Sequence, residues 1–309
     1  MNIIDIKELN ERLERSPAEY IGECCDKYND ECTKIAEKIS ETASERPIIL
    51  LSGPSGSGKT TSALKIEAVL DKMGMETHTI SMDNYFLPKH LVQVFDENNQ
   101  IDYESPLRID IPLLREHMMK IANCEPVDVP YFDFVSQDRA GGRELRRKKG
   151  EIVLFEGIHA LNPEVTGTDD IASCIYVSVR TRIRLSDGSL VHPKLIRLMR
   201  RLIRDRNFRN RCPAETLDMF ESVQKGEDNY INPYKFRAHF DVDTFHGFEP
   251  ALFKPLLDDD IRALMETYEP FEEFLPISKL LKESSQISET LVPPAALARE
   301  FIGGSCFEY

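Results

Sequence analysis

The chain has 309 residues, of which 41% are hydrophobic, and a formal net charge of -14. That length can bury a full core and suits one large domain with appendages. No apolar run reaches the roughly 20 residues of a membrane span. The opening MNIIDIKELNERLERS lacks the basic start and apolar centre of a signal peptide, so a cytoplasmic location without membrane contact is expected. The acidic balance argues against nucleic acid as a general partner, and any anion site must be a local concentration of basic residues. The seven cysteines are scattered without zinc-site spacing and read as reduced thiols.

Residues 1–46 read as an N-terminal helical extension. Ile6, Leu9 and Leu13 fall on one helical face, Ser16-Pro17 breaks the run, and Tyr20 to Ala43 resumes it. From Pro47 short apolar runs alternate with helical stretches. PIILLS, ETHTIS, EIVLFEGI and ASCIYVSV read as buried parallel strands, with Lys59 to Met73 and Ile111 to Ala122 as crossover helices. The fold class that follows is α/β, a doubly wound parallel sheet spanning 47–250. Residues 126–150 alternate like a hairpin that turns at Ala140-Gly141-Gly142. Strong helical periodicity returns over 193–225, and 251–309 forms a C-terminal helical segment with a polar, Pro-containing tail.

The segment Gly53-Pro-Ser-Gly-Ser-Gly58-Lys59-Thr60 fits the P-loop pattern, directly follows a strand and opens a helix. Gly53, Ser55, Gly56, Ser57 and Gly58 let successive backbone N–H groups curl round phosphate at a helix N-terminus. Lys59 then reaches the β- and γ-phosphates, Thr60 offers a hydroxyl to Mg²⁺, and Thr61 continues the ATP-binding set. No N-K-x-D guanine signature is present.

Asp83 ends the second strand, where carboxyl ends of strands line the ligand crevice, and is placed to take a proton from an acceptor hydroxyl. Its other reading is a turn or helix cap. Glu156 ends the third strand as a candidate magnesium organiser, while His159 reads as a packed or capping residue. Arg180 to Arg211 carries eleven cations against Asp187 and Asp205. An RNA-binding helix and a lid over the triphosphate both fit this stretch. The lid, about 180–225, is favoured because a P-loop precedes it and no aromatic platform interleaves it.

Together the motifs GPSGSGKTT, SMDNYF, VPYFDFVSQDR, VLFEGIHAL, RRLIRDRNFRNR and ESVQKGEDNYINPYKFRAHFDVD, in order from about Pro47 to Asp243, resemble the uridine kinase and phosphoribulokinase family of P-loop kinases. The likeness is closer to uridine kinase-like proteins of bacteria. It implies a five-stranded parallel core with a β-hairpin over the acceptor and a helical Arg-rich lid. It also implies Mg²⁺-dependent transfer of the ATP γ-phosphate to the 5′-hydroxyl of uridine or cytidine, a pyrimidine salvage step. By position, Asp83 resembles the general base, Glu156 the metal-organising acid, and Arg204, Arg209 and Arg211 the lid arginines. Glu104 stands where the family holds the ribose hydroxyls with an aspartate. Tyr85 and Arg139 join the acceptor set.

The hairpin departs from the family pattern. Phe132 and Gln137 replace a tyrosine and a histidine that read the base, and Tyr131 is the neighbour able to compensate. A sugar-phosphate acceptor is therefore the alternative reading, and a non-catalytic nucleotide- or RNA-binding protein a distant one. The flanking N-terminal helices and tail read as packing across the sheet or as homo-oligomer contacts.

Overall fold

The computed structural model describes residues 2–95, 97, 99, 101–167, 170–268 and 274–308. A short strand, β1 (Ile3–Asp5), leads into helices α1 (Ile6–Arg15) and α2 (Pro17–Thr42), the second starting where Pro17 occupies a first-turn position that needs no N–H. There follow β2 (Ile48–Ser52), α3 (Lys59–Lys72), β3 (Thr77–Ser81), α4 (Ile111–Ala122), the hairpin β4 (Val127–Asp133) with β5 (Asp138–Leu145), β6 (Ile152–Glu156), the short α5 (Pro163–Thr166) and β7 (Ala172–Ser178). The second half holds β8 (Arg182–Arg184), β9 (Leu190–Val191), α6 (Pro193–Phe208), α7 (Pro213–Asp218), α8 (Phe220–Gly226), β10 (Phe240–Asp243), α9 (Glu249–Thr267), α10 (Leu275–Glu283) and α11 (Arg299–Ile302).

Five strands pair in parallel in the order β10-β7-β2-β6-β3. Strands β2, β6 and β7 are buried on both faces, which is why their sequences are continuous apolar runs without alternation. One face is covered by α2 and α3, through Ile35, Ile39, Ile66 and Leu70. The other is covered by α4 and the hairpin, through Leu114, Ile121, Val129 and Phe132. A third cluster forms around α6, whose Ile196, Leu198, Met199 and Leu202 pack against Leu9 and Leu13 of α1 and Leu252 and Leu257 of α9. No described helix is long and apolar enough to cross a membrane. All seven cysteines are free.

The structure revises four expectations. The hairpin turns at residues 134–137, with Gln137 in the left-handed region, and Ala140 to Gly142 lie inside β5. The three-stranded sheet β1-β8-β9 is additional, its strands too short and too mixed in polarity to carry a periodic signal, while edge strand β10 completes the five-stranded core that the resemblance implies. Helix α6 is a core element rather than an outlying lid, because its apolar face is fully buried. Finally, a boundary at 250/251 would cut α9, and the segment beyond it returns to the sheet: Leu297 and Phe301 are fully buried beside α3 and the P-loop. Phe301→Ala should therefore lower stability by roughly 3–5 kcal/mol in urea denaturation, as for a buried core aromatic. A loss under 1 kcal/mol would show that the tail is only loosely laid on the surface.

Candidate active site

Strand β2 ends in the P-loop. Gly56 and Gly58 take positive φ, and a Cβ on Gly53 would lie 2.0 Å from the Val177 carbonyl oxygen, so the glycines are required by conformation and close approach. A loop whose N–H groups face outward must turn its carbonyls inward, where each needs a donor. Arg197 Nη1 donates to the Ser55 carbonyl at 2.9 Å, Arg200 Nη1 to Gly56 at 3.1 Å, and the Thr244 hydroxyl to Ser57 at 2.7 Å. Each arginine is matched by a buried acid. Arg197 meets Glu227 in a two-pronged pair at 2.5 and 2.7 Å, and Arg200, fully buried, meets Glu249 at 2.9 Å. The Ser57 hydroxyl is buried without a hydrogen-bond partner among the described residues.

At the carboxyl ends of β3 and β6 three carboxylates gather around Lys59. Ser81 caps the turn Met82–Tyr85 by accepting from the Asp83 N–H, which spares the Asp83 carboxylate from capping duty. Burial raises the Asp83 carboxyl, and Lys59, Arg209 and Arg108 partly offset it. Glu156 is pushed up to about 7 by burial, opposed by Lys59 and reinforced by Asp83, and it hydrogen-bonds Ser81. Glu104 also rises to about 7, through burial opposed by Arg201, with Glu227 and Asp83 adding to the rise. The hard oxygen donors of Thr60, Glu156 and Asp83 suit a divalent cation, which would relieve this crowding of negative charge.

The arginine stretch divides by position. Arg180 pairs with Asp241, Arg184 with Asp5 and Arg206 with Asp260. Arg204, Arg209 and Arg211 converge on Asp205 at 2.8, 3.6 and 3.9 Å. Burial would raise Asp205, but Arg204, Arg209 and Arg201 outweigh it and hold its carboxyl below the usual range. Arg204 and Arg209 line a cleft of about 550 Å³ together with Thr60.

A model of the Phosphoribulokinase / Uridine kinase family matches residues 48–246. The chain belongs to that family. Uridine kinase of Lactobacillus johnsonii is 28% identical over 228 residues, covering 72% of this chain and 98% of the relative. Uridine kinase of Staphylococcus aureus is 32% identical over 190 residues, 61% of this chain and 83% of the relative. Among solved structures, a protein named as a fructose transport system kinase from Silicibacter sp. TM1040 superposes with a TM-score of 0.50 at 17% identity, over 68% of this chain and 98% of that one, and shows the shared fold alone.

Three of the acceptor-side expectations drawn from the family pattern do not survive the geometry. Tyr85 is wholly buried with its hydroxyl on His117 Nδ1 at 3.1 Å, so it is a core residue. Phe132 is also core, edge-on to Phe86 and Phe134 with ring centroids 5.7 and 5.3 Å away. Strand alternation then puts Tyr131 on the opposite, exposed face, where it cannot compensate for Phe132. Gln137 sits in the hairpin turn with its carbonyl held by the Lys89 N–H. Arg139 is tied to Asp110 at 2.9 Å, leaving its buried Nε without a partner among the described residues. His159 is packed, as its sequence context suggests, and burial pushes it down to about 4.

Arg201 is the residue that sequence alone does not single out. It is 3% exposed, forms no ion pair among the described residues, and lies against Gly56 of the P-loop. Burial, then neighbouring Arg204, lowers it to about 10. A buried cation facing a phosphate cradle, near Glu104 and Asp205 but in no close ion pair among the described residues, is a ready anion ligand. The doubled arginine at 200–201 was the available signal, but nothing in it tells the clamp from the free cation.

Removing one partner of the fully buried pair, as in Arg200→Met or Glu249→Leu, should cost about 3–5 kcal/mol in denaturant unfolding, and the double variant less than the sum. Additive losses would mean that the pair is not coupled. The raised carboxyls give a second expectation. Glu104 and Glu156 favour the folded state when protonated, so their stabilisation is fully present below the ordinary carboxyl value near 4.5 and fades as pH rises through about 7. Melting temperature, measured without divalent cations, should fall over that window, and Glu104→Gln should shrink the fall; an unchanged profile in the variant contradicts the assignment.

Proposed function

We propose that the chain transfers the γ-phosphate of ATP to the 5′-hydroxyl of a nucleoside, uridine or cytidine. The observation that carries this reading is the convergence of Asp83, Glu104, Lys59 and Arg201 at the carboxyl ends of the sheet, beside a phosphate cradle braced from behind. Family membership and the uridine kinases among the relatives support the acceptor class.

In this reading the P-loop amides and Lys59 hold the triphosphate, with Arg201, Arg204, Arg209 and Arg211 meeting the charge that spreads over the transferring phosphoryl oxygens. Asp205 positions the last three. Thr60 and Glu156 would hold Mg²⁺, which would supply positive charge against the triphosphate. Asp83 takes the proton of the attacking hydroxyl; its burial makes it a stronger base than an exposed aspartate, and Lys59 and Arg209 keep that burial from going uncompensated. Glu104 is placed to accept hydrogen bonds from the ribose hydroxyls. The base is not read by the rings of Tyr131 and Phe132, since one is outside and the other in the core.

A coupled ATP-consumption screen over nucleosides, sugars and sugar phosphates tests the acceptor. Turnover confined to pyrimidine nucleosides supports the proposal, and turnover confined to sugar phosphates overturns it. Asp83→Asn should cut kcat by at least about 10²-fold while ATP affinity stays within a few-fold, measured by calorimetry. Equal turnover removes Asp83 as the base.

A further inference from the structure

Beyond the family-matched region, the C-terminal segment reaches the front of the phosphate cradle. Residues 296–298 and Phe301 are buried anchors: Leu297 packs over Gly58, and Phe301 lies under the Arg200 guanidinium, 5.1 Å from its ring centroid. Arg299 ties the segment down by donating to the Glu289, Val292 and Gly303 carbonyls at 2.8, 2.7 and 3.2 Å. Between these anchors Glu300 projects towards the first turn of α3. Its Oε2 accepts from the Thr61 hydroxyl at 2.5 Å and from the Thr61 N–H at 3.3 Å. The same side chain lines the cleft shared by Thr60, Arg204 and Arg209. Its negative charge also adds to the rise of Glu156.

The N-terminal turn of a P-loop helix presents its free N–H groups and hydroxyls to the α- and β-phosphates, with the β- and γ-phosphates nearer the lysine. Thr61 is the farther of the two threonines from the loop and so belongs to the α-phosphate. A carboxylate already bonded to both of its donors occupies that phosphate's seat, and two anions cannot share it. We propose that Glu300 is a donor-site residue that sets nucleotide affinity: its carboxylate takes the α-phosphate's seat on Thr61, and a nucleotide binds by turning it aside. The buried anchors on either side stay in place, so the exchange is confined to one side chain and the short turn that carries it. This inference rests on the P-loop being the ATP site and is indifferent to the identity of the acceptor.

The test is calorimetric titration of Mg·ATP into the protein and its Glu300→Gln and Glu300→Ala variants, with thermal melting to confirm that each is folded. Relieving one charge-assisted bond should tighten binding on the order of ten-fold in Glu300→Ala, with Glu300→Gln between. Hydrogen exchange adds a readout in the unaltered protein: Mg·ATP should lower protection at Glu300 while protection at Phe301 and of α3 holds or rises. Equal or weaker ATP binding by Glu300→Ala overturns the proposal and leaves the kinase reading standing. If neither the unaltered protein nor either variant binds Mg·ATP, the donor-site reading falls and this inference with it.

Discussion

The structure turns on a single requirement of the phosphate cradle. For the amides of residues 53–60 to face a ligand, the carbonyls of Ser55, Gly56 and Ser57 must face the protein, and each is met there by a donor from a distant segment. Two of those donors are arginines of α6, and a buried guanidinium is tolerable only beside a buried acid. Glu227, just past α8, and Glu249, at the start of α9, supply the acids. One loop of eight residues thereby fixes the placement of α6, the chain after α8 and the join between β10 and α9. The third cluster of apolar side chains then fills the space between these elements and α1.

This requirement also explains why one helix carries so many arginines. The four on α6 nearest the loop and the cleft do different work according to their position. Arg197 and Arg200 point at carbonyls and are neutralised, Arg201 is buried without a paired acid, and Arg204 turns to Asp205 at the helix end. Asp205 lies 0% exposed among three arginines, so it fixes where their charges sit as it cancels a third of them. The result is a graded field. Behind the loop each arginine is neutralised and fixed geometry matters; in front of it Lys59 and the arginines face the carboxylates of Asp83, Glu104 and Glu156, where phosphate charge must be met.

Much of this was legible in the sequence wherever a local rule governs it. The three inner strands, β2, β6 and β7, are continuous apolar runs because both faces are covered, and the P-loop announces itself through glycine spacing between a strand and a helix. Asp83 and Glu156 follow from their place at strand ends. What was not legible depends on partners far apart in the chain. Nothing near Arg197 or Arg200 indicates that Glu227 and Glu249 await them. The doubled glycine at 141–142 suggested a turn, yet register with β4 is set by the aromatic packing of Phe132 and places the turn before it. That same packing answers the question the sequence posed about base recognition, since a phenylalanine enclosed by two others serves the core.

The family match ends at residue 246, but the cradle does not depend on that region alone. Glu249, which neutralises the arginine on the Gly56 carbonyl, lies just outside it, and Phe301 closes over that same arginine from the far end of the chain. On the same face of the sheet, Tyr28 of the N-terminal helix hydrogen-bonds Ser62 of α3, at 2.7 Å. Both flanking segments thus bear on the helix whose first turn receives phosphate. A cradle enclosed in this way is held more rigidly than one left open to solvent, because ordering its helix end is already accomplished by packing. The same enclosure brings a carboxylate to Thr61, so that rigidity at the back of the loop is coupled with competition at its front.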